Sequence, residues 1–178
     1  MAFSRITQVH FEPSQACNAS CPMCDRNQNG GPVNHHLTNA TWTAEEFMNK
    51  IDIEFIKKTN FWYFCGNHGD PHMCEDLPRI CEWMKKKNPG IRLLTTTNGG
   101  ARDESWWEEL AQYSEVNFSV DGLEDTNHLY RQGVKWEKLE DNMCAFIDAG
   151  GYAKWTFIVF RHNEHQVNIA RGWARALG

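Results

Sequence analysis

The strongest constraint on the fold is the regular alternation of short apolar runs with amphipathic segments. Runs rich in β-branched and aromatic residues predict strands over residues 6–11, 61–65, 91–96, 115–120 and 155–160. Helical periodicity fills the gaps, and all strand–helix connections after the first are short. This order predicts an α/β fold with a parallel sheet, right-handed crossovers and helices packed outside.

Five helices are predicted between and after these strands. Thr43 and Glu46 form a capping-box pattern that predicts a helix with Phe47, Ile51 and Phe55 on one face. Start and stop signals predict further helices over 78–87, from 103, over 136–149, and from about 164 to the end of the chain.

Unusual polar sequence follows four of the predicted strands. It comprises residues 17–24, 66–72, 97–100 and 121–122. Because the carboxyl ends of parallel strands lie along one edge of a sheet, these four loops are expected to meet there. The sequence therefore predicts a single functional site at that edge.

Length and composition limit the class of protein. The chain of 178 residues, 41% of them hydrophobic, is predicted to form one domain over 1–178. It contains no apolar run near the ~20 residues that cross a bilayer, and its first seven residues lack a signal-peptide pattern, which predicts a cytoplasmic protein with no membrane partner. The net charge of −5 argues against nucleic-acid binding.

Cysteine spacing indicates the chemistry. Three of the seven cysteines, Cys17, Cys21 and Cys24, form a C-x3-C-x2-C pattern in a polar loop. An odd number of cysteines without a secretion signal argues against a disulfide framework. Soft thiolates suit an iron–sulfur cluster, and three of them leave one iron of a four-iron cubane without a protein ligand. A zinc site that also uses His35 or His36 remains open as an alternative.

The motifs together resemble the radical S-adenosylmethionine (SAM) superfamily. The cysteine loop reads as that family's C-x3-C-x-Φ-C motif, with Met23 at the hydrophobic position. Gly69-Asp70-Pro71 is similar to its GGEP motif, with Asp in place of the usual Glu, and residues 119–122 are similar to its fourth-strand segment. The overall style of the sequence is closest to the branch of this superfamily whose members often carry a C-terminal SPASM domain, which is absent from these 178 residues.

The resemblance implies a role for each of these residues. Cys17, Cys21 and Cys24 would hold a [4Fe–4S] cluster, and Met23 would pack near the adenine of SAM. The remaining SAM contacts would come from Gly69, Asp70 and Pro71 at the amino group, Ser119 and Asp121 at the ribose, and Arg131 at the carboxylate. A surface salt bridge is the alternative for Arg131, and Cys65 is expected to be a small buried hydrophobic residue.

The resemblance also implies an activity and a fold. The reduced cluster would cleave SAM to a 5′-deoxyadenosyl radical that abstracts hydrogen from a peptide or small-molecule substrate, using an external one-electron reductant such as flavodoxin or ferredoxin. The fold would be a partial (β/α) barrel, one βα unit short of six. The chain is therefore expected to be truncated or minimal, with possible self-association through the open sheet edge. A non-catalytic iron–sulfur module remains a second alternative, beside the zinc-stabilised domain.

Overall fold

The computed structural model describes residues 6–178 and contains one sheet with its helices. The strands are β1 Gln8–Phe11, β2 Phe61–Phe64, β3 Arg92–Thr97, β4 Glu115–Ser119 and β5 Ala153–Thr156. The α-helices are α1 Ala44–Lys50, α2 Ile53–Lys58, α3 Leu77–Lys87, α4 Glu104–Ala111, α5 Asn127–Tyr130, α6 Trp136–Asp148 and α7 Val167–Leu177. Short 3-10 turns cover Pro71–Met73 and Glu164–Gln166.

The sheet is parallel throughout, in the order β1-β2-β3-β4-β5. Each strand pairs in register with the next along the chain, from Gln8 opposite Phe61 to Ser119 opposite Thr156. This arrangement confirms the predicted α/β fold, and the right number of strands was predicted. All five carboxyl ends lie along one edge of the sheet, which we call the rim.

The hydrophobic core lies between one face of the sheet and the helices. Trp62 and Phe64 project from β2 into it, and Phe118 of β4 contacts Trp107 of α4 and Phe146 of α6. These five aromatic side chains are at most 1% exposed. Aromatic rings of this size bury enough apolar surface to account for much of the driving force for folding.

The first predicted helix is interrupted in the structure. Thr43 forms the predicted capping box with Glu46, but α1 ends at Lys50 and Ile51 is its extended C-cap. Asp52 then caps α2 by accepting a hydrogen bond from the backbone N–H of Glu54. The prediction of one continuous helix was therefore wrong, because the short Asp side chain competes for backbone donors and starts a new helix.

Strand β5 begins earlier than predicted. It covers Ala153–Thr156, whereas residues 157–160 form no ladder although they are apolar. Its partner β4 ends at Ser119, and the backbone N–H of Ile158 instead donates to Oδ1 of Asp121 at 2.6 Å. Among residues 6–178, no helix is long and apolar enough to cross a bilayer.

Candidate functional site

The cysteine loop begins six residues after β1 and is held by backbone hydrogen bonds. The N–H of Cys24 donates to the carbonyl of Cys21 at 3.1 Å, and the N–H of Ala19 donates to Sγ of Cys17 at 3.4 Å. The N–H of Ser20 reaches the carbonyl of Gln132 at 2.8 Å, which ties the loop to the segment after α5. The loop is therefore fixed against the far side of the rim.

The three thiols line one cavity of about 310 Å³ at the rim. The cavity is lined by the cysteine loop, the segment after β2, the carboxyl ends of β3 and β4 with the residue after β3, and the end of α5 with the residue after it. These residues are Cys17, Ala19, Cys21, Met23, Cys24, Asp25, Asn27, Cys65, Gly66, Asn67, Gly69, Asp70, Thr96, Thr97, Asn98, Ser119, Tyr130 and Arg131. Among the predicted site residues, all three cysteines, Met23, Gly69, Asp70, Ser119 and Arg131 are in this set. The predicted convergence of loops is confirmed.

Asp70 lies at the back of the cavity and accepts three hydrogen bonds. Its Oδ2 accepts from the backbone N–H and from Nδ2 of Asn98, both at 2.8 Å. Its Oδ1 faces the backbone nitrogen of His72 at 3.2 Å and Nδ1 of the same residue at 3.0 Å. Burial alone raises the pKa of the Asp70 carboxyl, but the attraction of His72 and the accepted hydrogen bonds outweigh it and lower the pKa.

His72 and Asn98 connect Asp70 to the cysteine loop. His72 is fully buried, with Nδ1 at 2.5 Å from Oγ1 of Thr97 and Nε2 at 3.1 Å from Oδ1 of Asn18. Nδ2 of Asn98 lies 2.9 Å from the same Asn18 oxygen and 3.7 Å from Sγ of Cys17. His72 therefore holds the turn after β2 against the end of β3 and against the cysteine loop.

Arg131 and Asp121 form a buried ion pair beside the cavity. Nε of Arg131 donates to Oδ2 of Asp121 at 2.6 Å, and Nη1 lies 3.9 Å from Sγ of Cys21. Burial lowers the pKa of the guanidinium, but the Asp121 carboxylate outweighs this and raises it, so Arg131 stays charged. The alternative of a surface salt bridge is wrong, because the Arg131 side chain is 17% exposed and that of Asp121 is 0% exposed.

Burial controls the ionisation of two of the thiols. Burial, followed by the nearby Asp70 carboxylate, raises the pKa of Cys17 to about 12. Burial also raises the pKa of Cys21, although the charge of Arg131 opposes the shift. Because a metal binds the thiolate, loading this site must displace protons and is favoured as the pH rises.

Three predicted residues lie differently from expectation. Asp121 does not line the cavity: its Oδ2 faces Arg131 and its Oδ1 accepts from the N–H of Ile158, so direct contact with a ribose is not available to it. Pro71 is buried outside the cavity lining, where it begins the 3-10 turn. Cys65 is only partly buried and lines the cavity, because it lies just beyond β2 and so faces the rim rather than the core.

Several residues of the site were not predicted from the sequence. Asn18, Asn27 and Tyr130 contribute to the cavity or its support without forming a recognisable motif. Their only signal is position, since each lies in a segment that follows a strand. Among residues 6–178, no three His, Cys, Asp or Glu side chains converge tightly enough to hold one metal ion. Thiolates that bind different irons of one cubane do not have to converge in that way.

Comparison with known families shows to which superfamily the chain belongs. The model of the radical SAM superfamily matches residues 11–170, and the chain belongs to this superfamily. Its members use a [4Fe–4S] cluster and SAM. The Fe-coproporphyrin III synthase of Methanosarcina barkeri (strain Fusaro / DSM 804) is 28% identical over 129 residues, which cover 71% of this chain and 30% of that protein.

Solved structures share the fold at low sequence identity. Tagged anSMEcpe with bound AdoMet superposes with a TM-score of 0.73 and 21% identity, covering 95% of this chain and 46% of that one. SuiB of Streptococcus suis bound to S-adenosylmethionine gives a TM-score of 0.69 and 17% identity, covering 98% and 39%. The chain thus spans less than half the length of these relatives.

Proposed function

We propose that this chain is the catalytic core of a radical SAM enzyme, with a [4Fe–4S] cluster on Cys17, Cys21 and Cys24. The observation that carries the proposal is that these three thiols share one cavity with polar groups from three other rim loops. The donor set fits the cluster, since soft thiolates are its usual ligands and the Arg131 guanidinium beside Cys21 favours a thiolate. When bound, the reduced cluster would supply the electron that cleaves SAM into methionine and a 5′-deoxyadenosyl radical.

The residues around the thiols would orient SAM. Met23, whose side chain is largely exposed and lines the cavity, would cover the adenine, and Ser119 would hold the ribose. Arg131 would grip the carboxylate with the guanidinium nitrogens that Asp121 leaves free. Asp121 then acts on SAM only through Arg131.

Asp70 would act mainly through the backbone of the turn that it holds. A carboxylate has about four lone-pair sites. The N–H groups of His72 and Asn98 already fill three of them, and Nδ1 of His72 lies 3.0 Å from Oδ1. Asp70 would therefore fix Gly69, whose backbone faces the cavity, against the methionine amino group. The Asp70→Asn substitution is expected to weaken SAM binding about tenfold while iron content stays unchanged.

We propose a peptide or small-molecule substrate and an external one-electron reductant of the flavodoxin or ferredoxin type. SuiB has also been solved with its precursor peptide SuiA, and BtrN with the small molecule 2-DOIA, so the fold accommodates both classes. Residues 6–178 form one sheet with its helices, which supports a single core domain.

The decisive experiment compares Cys21→Ala with Cys144→Ala after anaerobic reconstitution. Cys144 lies on α6, outside the cavity lining. We expect Cys21→Ala to lose the absorption band at roughly 400 nm and to form no 5′-deoxyadenosine, while Cys144→Ala retains both. Full cluster content in Cys21→Ala would contradict the ligand assignment. A wild-type chain that holds a cluster but never cleaves SAM would be an electron-transfer module instead.

A further inference from the structure

Arg26 is a buried arginine just behind the cysteine loop, two residues after Cys24. It is 4% exposed and does not line the cavity. Its Nη1 donates to the backbone carbonyls of Gln15 and, at 2.7 Å, of His68. Its Nη2 donates to Oδ1 of Asn39 at 2.6 Å. Arg26 therefore joins three separate segments around the cysteines.

The charge of Arg26 has no carboxylate partner within 4.0 Å among residues 6–178. All its acceptors are neutral oxygens, and its buried Nε has no acceptor in that part of the chain. The comparable arginines differ: Arg131 pairs with Asp121, and Arg102 lies 3.7 Å from Glu75. Because a buried charge is costly without an opposite charge, Arg26 needs a negative group that the polypeptide does not supply.

The neighbouring thiols would supply that negative charge once they bind iron. Arg26 follows Cys24 by two residues, and its acceptor Gln15 precedes Cys17 by two residues. Arg26 is therefore held beside both ends of the cysteine loop. An arginine side chain carries a fixed positive charge in proteins.

We infer that Arg26 is a positioning residue that provides the counter-charge of the anionic cluster and raises its reduction potential. The inference rests on the proposed function. Each bound thiolate carries a negative charge, and one electron from the external reductant adds another. A fixed positive charge in a buried site stabilises the reduced form more than the oxidised form, and the net charge around a cluster is one of the factors that set its potential.

The test is a redox titration of the reconstituted cluster in the wild-type chain, Arg26→Met and Arg26→Lys, followed by electron paramagnetic resonance. For Arg26→Met we expect the equilibrium constant for one-electron reduction to fall about tenfold, a shift of about 59 mV to more negative potential. Arg26→Lys retains the charge, so its constant is expected to stay within about threefold of wild type. Equal potentials in wild type and Arg26→Met would overturn the inference.

Arg102→Met is the matched control. Arg102 also donates to two backbone carbonyls, those of His72 at 2.6 Å and Met73 at 2.5 Å, but its side chain is 23% exposed, Glu75 lies 3.7 Å from its Nη1, and it lies outside the cavity lining. We expect its potential to match wild type. An equal shift in Arg102→Met would attribute the effect to loosened packing and overturn the inference. Arg26→Gln, which keeps a donor, replaces Arg26→Met if that variant does not fold. Failure of the wild type to take up a cluster would refute the proposed function instead.

Discussion

Two arginine–carboxylate pairs with the same Nε–oxygen distance of 2.6 Å lie at opposite ends of the sheet. Arg92 and Glu115 are at the amino ends of β3 and β4, with side chains 53% and 24% exposed. Arg131 and Asp121 are at the rim, with side chains 17% and 0% exposed. Since solvent screens the first pair and not the second, equal distances conceal very different energies.

The difference in burial distinguishes an ion pair on the protein surface from one in a functional site. At the amino end the ion pair replaces water contacts with little net gain, and loss of either partner leaves a solvated charge. At the rim, removal of either partner leaves an unpaired, largely buried charge, and Nη1 of Arg131 also lies 3.9 Å from the Cys21 thiol. Buried polar groups are costly, and their concentration at one end of the sheet is typical of a functional site.

The largest expected effect on stability comes from Asp121→Asn. The substitution preserves an acceptor for the N–H of Ile158 but leaves Arg131 unpaired, so the free energy of unfolding should fall by about 3 kcal/mol. The measurement is denaturant unfolding of the metal-free chain. Addition of Arg131→Met should recover part of the loss, because both charges are then absent. If Asp121→Asn alone were as stable as wild type, the buried ion pair at the rim would not differ in energy from the exposed pair at the amino end.

Glycine positions provide a second comparison of the two ends. A Cβ on Gly69 would overlap the backbone carbonyl of Ser14, so Gly69→Ala should cost about 2 kcal/mol through displaced backbone. A Cβ on Gly90, before β3, would meet only Oδ1 of Asn88 at 3.7 Å, so Gly90→Ala should change stability by less than about 0.5 kcal/mol. Thermal unfolding of the two variants side by side tests this. Equal losses of stability in the two variants would mean that the rim is no more tightly packed than the amino end of the sheet.

The third effect concerns ligand binding rather than folding. Arg131→Lys keeps the positive charge but loses the planar fork, so we expect SAM affinity to fall about tenfold, or about 1.4 kcal/mol. Equilibrium dialysis with the reconstituted chain measures it. The exposed Arg171 of α7 supplies the control, since Arg171→Lys should bind SAM like wild type. Unchanged affinity in Arg131→Lys would remove the guanidinium from the SAM site.

The smallest effect is expected from Glu115→Gln. Hydrogen bonds from Arg92 lower the pKa of the Glu115 carboxyl, with burial opposing them. A lowered pKa stabilises the fold above the ordinary carboxyl value and loses that contribution as the pH falls through the lowered value. Melting temperatures of wild type and variant should therefore differ slightly at neutral pH and converge in acid or about 1 M salt. A large difference that survives salt would contradict the assignment of this pair to the surface.

Local signals predicted much of the fold and of the site. Strand periodicity and turn residues predicted all five strands, because each is short, apolar and bounded by residues that favour turns. The cysteine spacing predicted which loop carries the thiols, and the parallel order predicted that Asp70 and Ser119 would lie near it. These features depend on residues close together in the chain.

The features that were missed depend on tertiary contacts. Strand β5 ends at Thr156 because its partner β4 ends at Ser119. Arg131 is buried because it pairs with Asp121, which lies ten residues earlier in the chain. Arg26 resembles any loop arginine in the sequence, since its acceptors are main-chain and side-chain oxygens from three other segments. Such partners cannot be identified from composition or spacing.

The most direct test of the central claim is whether SAM contacts an iron that the protein leaves free. The anaerobically reconstituted and reduced wild-type chain is examined by electron paramagnetic resonance before and after SAM is added. The account predicts a four-iron cluster signal whose shape changes when SAM binds. A spectrum that SAM leaves unaltered, or a chain that binds only zinc, would contradict it.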